Sequence, residues 1–513
     1  MAGGRGVESA SLLPPAQAEP KHVSYQATVA INASESRSAK EAAHVAKQQD
    51  AAYLFKYIIM AQIFVYLEAG AVPSQLLQFT ETFDLTPQDQ GLLGAIVYIA
   101  LSLGSPLSGY LFRRFSPKVV LGFSLVLNNA CVFLFAFTPV HHWYSKSLLI
   151  FFRALIGFTQ AFLCVYAPLW VHEFAPKSRR GEWMSYLQGA VPLGVTFGYL
   201  LGSIAVWVSE SSSGCFNFFC WRWPFIFQVV LVTPLALGIF GIPDDHIVMR
   251  PSRRESISYL DGEEEDEYDA FFDDGKSNWS NICTLLRIPV FTSIVLGLSS
   301  LFFCVTGIQY WTTLFLTTNL DDSAYTIHLA YLVVSGTGPI LGVVFGGKLI
   351  DYYGGYAGPV QEAKALRICM LLGIFAVAAA LPISFTYNTF WIAVLLWVML
   401  FCGGALLSPC SGIVIACAPP HLRPLASSVA YTSYNFLGYA ASNYIPGKVM
   451  NIILEHTATP VGAPSDEAYM YRVGFRIVTW WSIFAFACLT IGYTASVRKS
   501  KALAGTAPAS SPY

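Results

Sequence analysis

A carboxylate and a guanidinium stand inside two long apolar stretches: Glu68 in the middle third of the first, and Arg153 about one helical turn into the fourth. An ionisable group at such depth is costly and marks substrate, ion or proton traffic. Left unpaired there, Glu68 favours its neutral form and can carry a proton; the alternative is a packing carboxylate hydrogen-bonded to a neighbouring helix. Arg153 can grip a phosphate or carboxylate bidentately or snorkel to the membrane interface. If the two met across a central cavity they would form a charge-neutral, substrate-sensitive pair. Gln160, Gln188, Gln309, Tyr310, Trp311 and Asn435 add polar or aromatic groups at interior depth. Such residues line a cavity or bond between helices. No Walker loop, GxSxG elbow, HExxH or Cys/His set with metal spacing occurs, so the expectation is no enzyme, no metal and no cofactor.

The elements that carry these residues follow from composition. The chain has 513 residues, 55% hydrophobic and 12% charged, with a mean hydropathy of +0.52, which excludes an ordinary soluble domain. A membrane span needs about 20 mostly apolar residues. Twelve such stretches run near 54–77, 90–112, 119–139, 148–174, 182–207, 224–243, 289–317, 325–350, 366–387, 389–417, 425–447 and 474–496. The fold class is therefore all-α integral membrane. Arg113, Arg114 and Lys118, then Lys177, Arg179 and Arg180, then Lys348, Lys364 and Arg367 cluster in turns of one parity. By the positive-inside rule both termini face the cytosol.

Five segments follow: a disordered cytosolic tail (1–50), a six-helix bundle (51–243), a charged linker (244–288), a second six-helix bundle (289–497) and a cytosolic tail (498–513). The linker passes from a basic run at Arg253-Arg254 to the acidic run Glu263–Glu267 and reads as a solvated tether. Glu8 with Leu12-Leu13 fits an acidic dileucine sorting pattern, pointing to endosomes or lysosomes, with the plasma membrane as the other destination. Cys215 and Cys220 share one short non-cytosolic loop, where a local disulfide could form.

Two pairs of echoes show internal duplication. Gly109-Tyr-Leu-Phe-Arg-Arg114 returns as Gly347-Lys-Leu-Ile-Asp-Tyr352, and Ala175–Arg180 returns as Ala418–Arg423, each about half a chain later. With two six-span halves and charged turns after the second and eighth spans, the chain resembles the major facilitator superfamily. Phe152–Gly157 is similar to that superfamily's R-x-x-x-G element, and Gly189, Pro192, Gly194, Gly198 and Gly202 to its glycine-rich fifth span. Within it, A-G-A-V-P at 69–73, Y-A-P at 166–168, S-Y-L-Q-G-A-V-P-L-G-V-T-F-G-Y at 185–199, V-T-G followed by Trp311, and L-G-Y-A-A-S-N-Y-I-P-G at 437–447 resemble the Spinster-like branch. Gly157–Glu173 also resembles the sugar-porter signature, with Ala161 and Trp170 departing from it.

The Spinster-like resemblance implies alternating-access transport of an amphipathic lipid, such as a lysophospholipid or sphingoid phosphate, often coupled to protons. A sugar or small-metabolite carrier is the alternative within the superfamily, and a non-transporting receptor or scaffold the alternative outside it. Partners are then a small-molecule or lipid substrate and the membrane, without nucleic acid, and a monomer is expected by analogy. Departures matter too. Phe64-Val65, Gln160 and Tyr439 stand where the branch has ionisable residues, which leaves Glu68 as the remaining proton-carrier candidate. The resemblance also implies a cytosolic gate, here Arg113, Arg114, Glu173, Arg180, Asp351 and Arg423. Arg113 occupies the position of the superfamily's Asp, so the first-half latch is expected with reversed polarity, Arg113 seeking Glu173 or Glu182.

Overall fold

The computed structural model describes residues 51–175, 180–211, 221–247, 278–356, 358–419, 422–456 and 464–505. Residues 57–513 pack as one compact unit. The sorting pattern, the 248–277 part of the linker, Cys215, Cys220 and the end of the C-terminal tail lie outside the described residues. So do the side chains of Arg113, Glu173, Arg180 and Glu182.

Among the described residues eleven helices are long and apolar enough to cross a membrane. In chain order they are α1 (Ala51–Ser74), α2 (Pro87–Arg114), α3 (Pro117–Ala136), α4 (Ser145–Phe174), α5 (Arg180–Ser211), α6 (Trp223–Gly238), α7 (Pro289–Asn319), α8 (Ala324–Tyr352), α9 (Pro359–Ile383), α10 (Thr389–Ala416) and α12 (Glu467–Ala502). Between the last two runs α11, residues 423–456, helical throughout but with a π segment at Tyr434–Ala440. Its polar composition, with Ser427, Ser428, Thr432, Ser433 and Asn435 in three turns, keeps it out of the apolar count. The chain is an all-helical multi-pass membrane protein.

Several ends are written locally. Thr86 and Asp89 form a reciprocal capping box with Pro87 at the first helical position of α2, Ser323 caps α8, and Asn388 caps α10 through the Phe390 and Trp391 amides. The ninth span starts earlier than its apolar run suggests. Its Glu362 is buried, yet Ser496 Oγ donates to its carboxylate at 2.7 Å and Lys499 Nζ lies 3.5 Å away, so α12 satisfies the charge.

Glycines then decide which helices touch backbone to backbone. A Cβ on Gly198 would overlap Leu67 O, one on Gly194 would overlap Ile63 O, and one on Gly70 would overlap Val195 O, so α5 and α1 ride on each other without side chains between them. Gly104 and Gly157 join α2 to α4 in the same way, through Phe158 O and Val97 O. Gly342, Gly346 and Gly404 join α8 to α10, and Gly438 brings α11 against α7 at Ser299 O. These last two pairs are the first two moved on by six helices. The duplication heard in the sequence is thus repeated in the packing.

The two sets of helices meet along two seams, α2 with α11 and α5 with α8. Both are closed on the distal face, where α1 ends and α2 begins. Gly91 lies against Asn443 O and Gly447 against Pro87 O. Gln90, fully buried, donates to Thr80 Oγ1 (2.9 Å) and to Tyr471 Oη (3.1 Å), while Tyr310 Oη donates to Gln90 O. On the other seam Tyr199 Oη bonds Thr313 Oγ1 at 2.6 Å and Ser203 Oγ bonds His328 Nδ1 at 2.8 Å. Toward the proximal ends the packing is looser: Gly189 has nothing within 4 Å of its Cβ position, and Tyr431, in electrostatic reach of Cys164 of the first half, keeps 47% exposure.

Gly198→Ala should therefore lower stability by about 1–3 kcal/mol through backbone overlap. Gly189→Ala should be neutral or gain up to about 1 kcal/mol of helix propensity. Thermal unfolding of the purified variants tests this, and equal midpoints for the two would refute the α1–α5 contact.

Candidate functional site

Glu68 is held in place by an interrupted helix. At Tyr66 the α1 ladder slips: Ala69 N turns to Tyr66 O at 3.2 Å, which frees Val65 O. Gln228 of α6, itself buried, donates its Nε2 to that carbonyl at 3.2 Å. A freed backbone acceptor inside a membrane must find such a donor. With α5 pressed against the same segment by Gly198 and Gly70, Glu68 is fixed in height on α1. Arg153 reaches it from α4, whose backbone is tied to α3 by Asn128, donating to Ile156 O (3.2 Å) and Thr159 Oγ1 (3.0 Å).

Glu68 and Arg153 form a direct ion pair, Arg153 Nη1 on Glu68 Oε2. Both are enclosed, at 0% and 4% exposure. The carboxylate is therefore not unpaired, and Arg153 does not snorkel. Glu68 Oε1 and Arg153 Nε have no hydrogen bond beyond this contact. Tyr310 of α7 lies within electrostatic reach of the guanidinium, so the second half also faces the pair.

Aromatic rings line the approach from the proximal side. Tyr98 stacks on Tyr439 across the α2–α11 seam, with centroids 4.9 Å apart and planes 18° from parallel. Phe302 packs on both Tyr434 and Tyr439 at 5.0 Å. Tyr66 Oη and Cys164 Sγ are 3.0 Å apart. Tyr431 lies within electrostatic reach of Tyr66, Tyr98 and Cys164, which closes the ring of phenols. Few charges and many rings make this wall amphipathic, suited to a ligand with one polar end.

The other residues singled out from the sequence divide. Gln160 is buried with its Nε2 unsatisfied, as is Gln62 Oε1 on α1, and both are free to serve a ligand. Asn435 is committed to the backbone: its Nδ2 donates to Tyr431 O at 2.9 Å, supporting the π segment. Trp311 belongs to the packed core, buried with its indole N–H on Ser442 O at 3.3 Å. Gln188 is exposed and lies about two turns from Thr196, which touches α8 at Gly336, on the face of α5 that leaves the seam. Gln309 is half-buried. Arg114, Asp351 and Arg423 are exposed and make no ion pair among the described residues. Several residues escaped the sequence reading, among them Gln62, Gln90, Gln228 and His328. Each is a lone polar residue in an apolar run, and only a check of which helix face it occupies could have raised it.

A family model described as Major Facilitator Superfamily matches residues 58–442. The sphingosine-1-phosphate transporter SPNS2 of Mus musculus is 23% identical over 78% of this chain and 69% of its own length, and the probable sphingolipid transporter spinster homolog 1 of Arabidopsis thaliana is 22% identical over 72% and 73%. A match to SPNS2 of Xenopus tropicalis, 29% identical, spans only 34% of this chain and 32% of that protein. Among solved structures, a bacterial homologue of the human lysosomal transporter Spinster, inward-facing and unoccupied, superposes with a TM-score of 0.68 at 14% identity, covering 87% and 98% of the two chains. A D-xylose–proton symporter follows with 0.58 at 15% identity, covering 84% and 96%. At such identities the structural matches speak for the fold.

Breaking a buried pair from one side leaves a bare charge and costs about 3–5 kcal/mol, whereas replacing both members by apolar groups is often near neutral. Arg153→Met should be strongly destabilising and Glu68→Leu/Arg153→Met should recover most of the loss, read by unfolding of purified protein. Additivity within about 0.5 kcal/mol would mean the two are uncoupled.

Proposed function

Since the chain belongs to the Major Facilitator Superfamily, we propose that it is a secondary transporter that carries an anionic amphiphile, of lysophospholipid or sphingoid-phosphate type, across a membrane by alternating access. The observation that carries this reading is the enclosed Glu68–Arg153 pair, with Tyr310 in electrostatic reach of it and the tyrosines Tyr66, Tyr98, Tyr431 and Tyr439 clustered on its proximal side. A sugar site needs many convergent donors and acceptors; this wall offers rings, one guanidinium and the loose ends of Gln62 and Gln160, which suits one charged headgroup and an apolar tail. The relatives named as sphingolipid and sphingosine-1-phosphate transporters agree with that chemistry.

In this mechanism the bundles 51–243 and 289–497, joined by the 244–288 linker, rock about the central pair. Both termini face the cytosol, so the looser, proximal side is the cytosolic one. An incoming phosphate or carboxylate takes the guanidinium bidentately and displaces Glu68. A carboxylate left without its counter-charge in that interior sheds the cost by taking a proton. Arg153 is then the headgroup ligand, Glu68 the proton carrier, and Gln62, Gln160, Tyr66, Tyr98, Tyr310 and Tyr439 the wall. Arg113, Glu173, Arg180, Asp351 and Arg423 come together at the proximal ends only once the distal seams part.

Flux into proteoliposomes tests the proposal with a panel of lysolipids, sphingoid phosphates and hexoses under an imposed pH gradient. Anionic amphiphiles should move and hexoses should not. Arg153→Lys, which keeps charge but loses the fork, should lower lipid flux by about tenfold or more. Glu68→Gln should leave residual flux that no longer responds to pH; an unchanged pH profile in that variant would rule Glu68 out as carrier.

A further inference from the structure

The distal face holds a polar cavity of about 510 Å³, lined by none of the tyrosines around the central pair. Both halves build it: Gln75, Gln78 and Glu81 after α1, Ser209 of α5 and Arg222 before α6 from the first, and Thr313 and Thr317 of α7 with His328 of α8 from the second. Two features mark it as more than a gap between helices. Gln75 is fully buried on its wall, and neither its Oε1 nor its Nε2 has a hydrogen-bond partner. An amide so placed is expensive without a ligand or water to meet it.

The second feature is the orientation of His328. Ser203 has one hydroxyl hydrogen, and it goes to Tyr199 O at 2.8 Å. At its 2.8 Å contact with His328 Nδ1, Ser203 Oγ must then accept, so Nδ1 carries the hydrogen. Tyr199 Oη, 3.3 Å from the same nitrogen, accepts there as well and shares a hydrogen bond with Thr313 Oγ1. This network consumes Nδ1 entirely and leaves Nε2 as the ring's open nitrogen, without a protein partner, on a residue that lines the cavity. A proton arriving at Nε2 breaks none of these bonds. It simply adds a positive donor to the wall. Arg222 brings a second one, its guanidinium 4.3 Å over the Trp221 ring and donating to Thr138 O at 3.3 Å. Among the described residues the other titratable groups at the cavity and around His328 are Glu81, His141, Tyr199 and Tyr331.

We propose that this distal cavity is a binding site for a tetrahedral oxyanion, a phosphate or phosphate ester, held by His328 Nε2–H, Arg222 and the Gln75 amide. The same chemistry admits a free anion or the headgroup of a lipid, and the second source rests on the amphiphile reading above. Because His328 belongs to α8 while Gln75 and Arg222 belong to the first half, a bound anion bridges the α5–α8 seam and favours the closed distal face. Binding tightens as pH falls, since the neutral ring offers only a lone pair at Nε2 and the cation offers a donor.

The test is equilibrium binding to the full chain in uncharged lipid nanodiscs. The probes are radiolabelled sulfate, whose charge does not change over the range, and radiolabelled lysophosphatidylglycerol, a phosphodiester, between about pH 8 and about pH 5.5. Sulfate should bind about tenfold more tightly at the acidic end, the size of effect a charge-assisted hydrogen bond gives. His328→Asn, which keeps a donor at the Nδ1 position, should fold normally and lose that gain, and Arg222→Lys should weaken binding at both ends. The neutral double variant Glu68→Gln/Arg153→Gln should leave sulfate binding intact. Lysophosphatidylglycerol should bind wild type at two sites, one lost with His328→Asn and the other with the double variant. If sulfate alone behaves this way, the site takes free anions and not headgroups. Binding whose pH response survives His328→Asn, or that disappears only in the double variant, overturns the distal site and leaves the central one standing. Loss of the central site alone overturns the transport reading and leaves this one.

Discussion

The buried pair of Glu68 and Arg153 sets the terms for the first half of the molecule. Taking two ions out of water costs several kcal/mol each, and only their contact offsets it, so α1 and α4 must stay at one relative height. The slip at Tyr66, the Gln228 bond to Val65 O and the glycine contact with α5 all serve that height. Both members of the pair belong to the first half. Rocking one half against the other therefore leaves it intact, and only a ligand with its own charge can separate it. In the proposed mechanism, a pair inside one half answers to cargo and not to motion alone.

The contacts that do have to break are of another kind. Within each half, backbones touch through Gly70, Gly104, Gly157, Gly194 and Gly198, or through Gly342, Gly346, Gly404 and Gly438, where no side chain can yield. Across the halves the distal seams are held by hydrogen bonds at Gln90 and His328, and the Tyr98–Tyr439 stack bridges the α2–α11 seam on their proximal side. Each of those is worth about 0.5–1.5 kcal/mol. Stiff halves and cheap seams are the combination that alternating access needs, since the seams can part while each half keeps its packing.

How much of this was legible in the sequence depended on distance along the chain. The spans were, since twenty apolar residues announce themselves, and so were the two charges at depth. That Glu68 meets Arg153 was not: no local period links α1 to α4, and only the packing of α1, α4, α5 and α6 brings them together. Asn435 and Trp311 stood out as cavity residues for the right reason, polarity or size at depth, but their hydrogen bonds go to Tyr431 O and Ser442 O. His328 passed unnoticed because its partners, Tyr199, Ser203 and Thr313, lie on two other helices.

The replaced acids acquire a meaning in this setting. Where the Spinster-like resemblance implies an acid at Tyr439, the structure has a ring stacked on Tyr98 and packed on Phe302; where it implies one at Gln160, a buried amide. Among the described residues of the central cavity the only charges left are Glu68 and Arg153, which cancel. An anion that enters makes the sum negative by its own charge, and in a low-dielectric cavity that excess is costly. One proton on Glu68 removes one unit of it, and no second carboxylate stands ready to remove another. A monoanionic headgroup then crosses as a neutral complex, whereas a dianion leaves one charge uncompensated unless its own phosphate takes a proton. Under the proposed transport mechanism, the loss of acids narrows the coupling to one proton and favours cargo that can be singly charged.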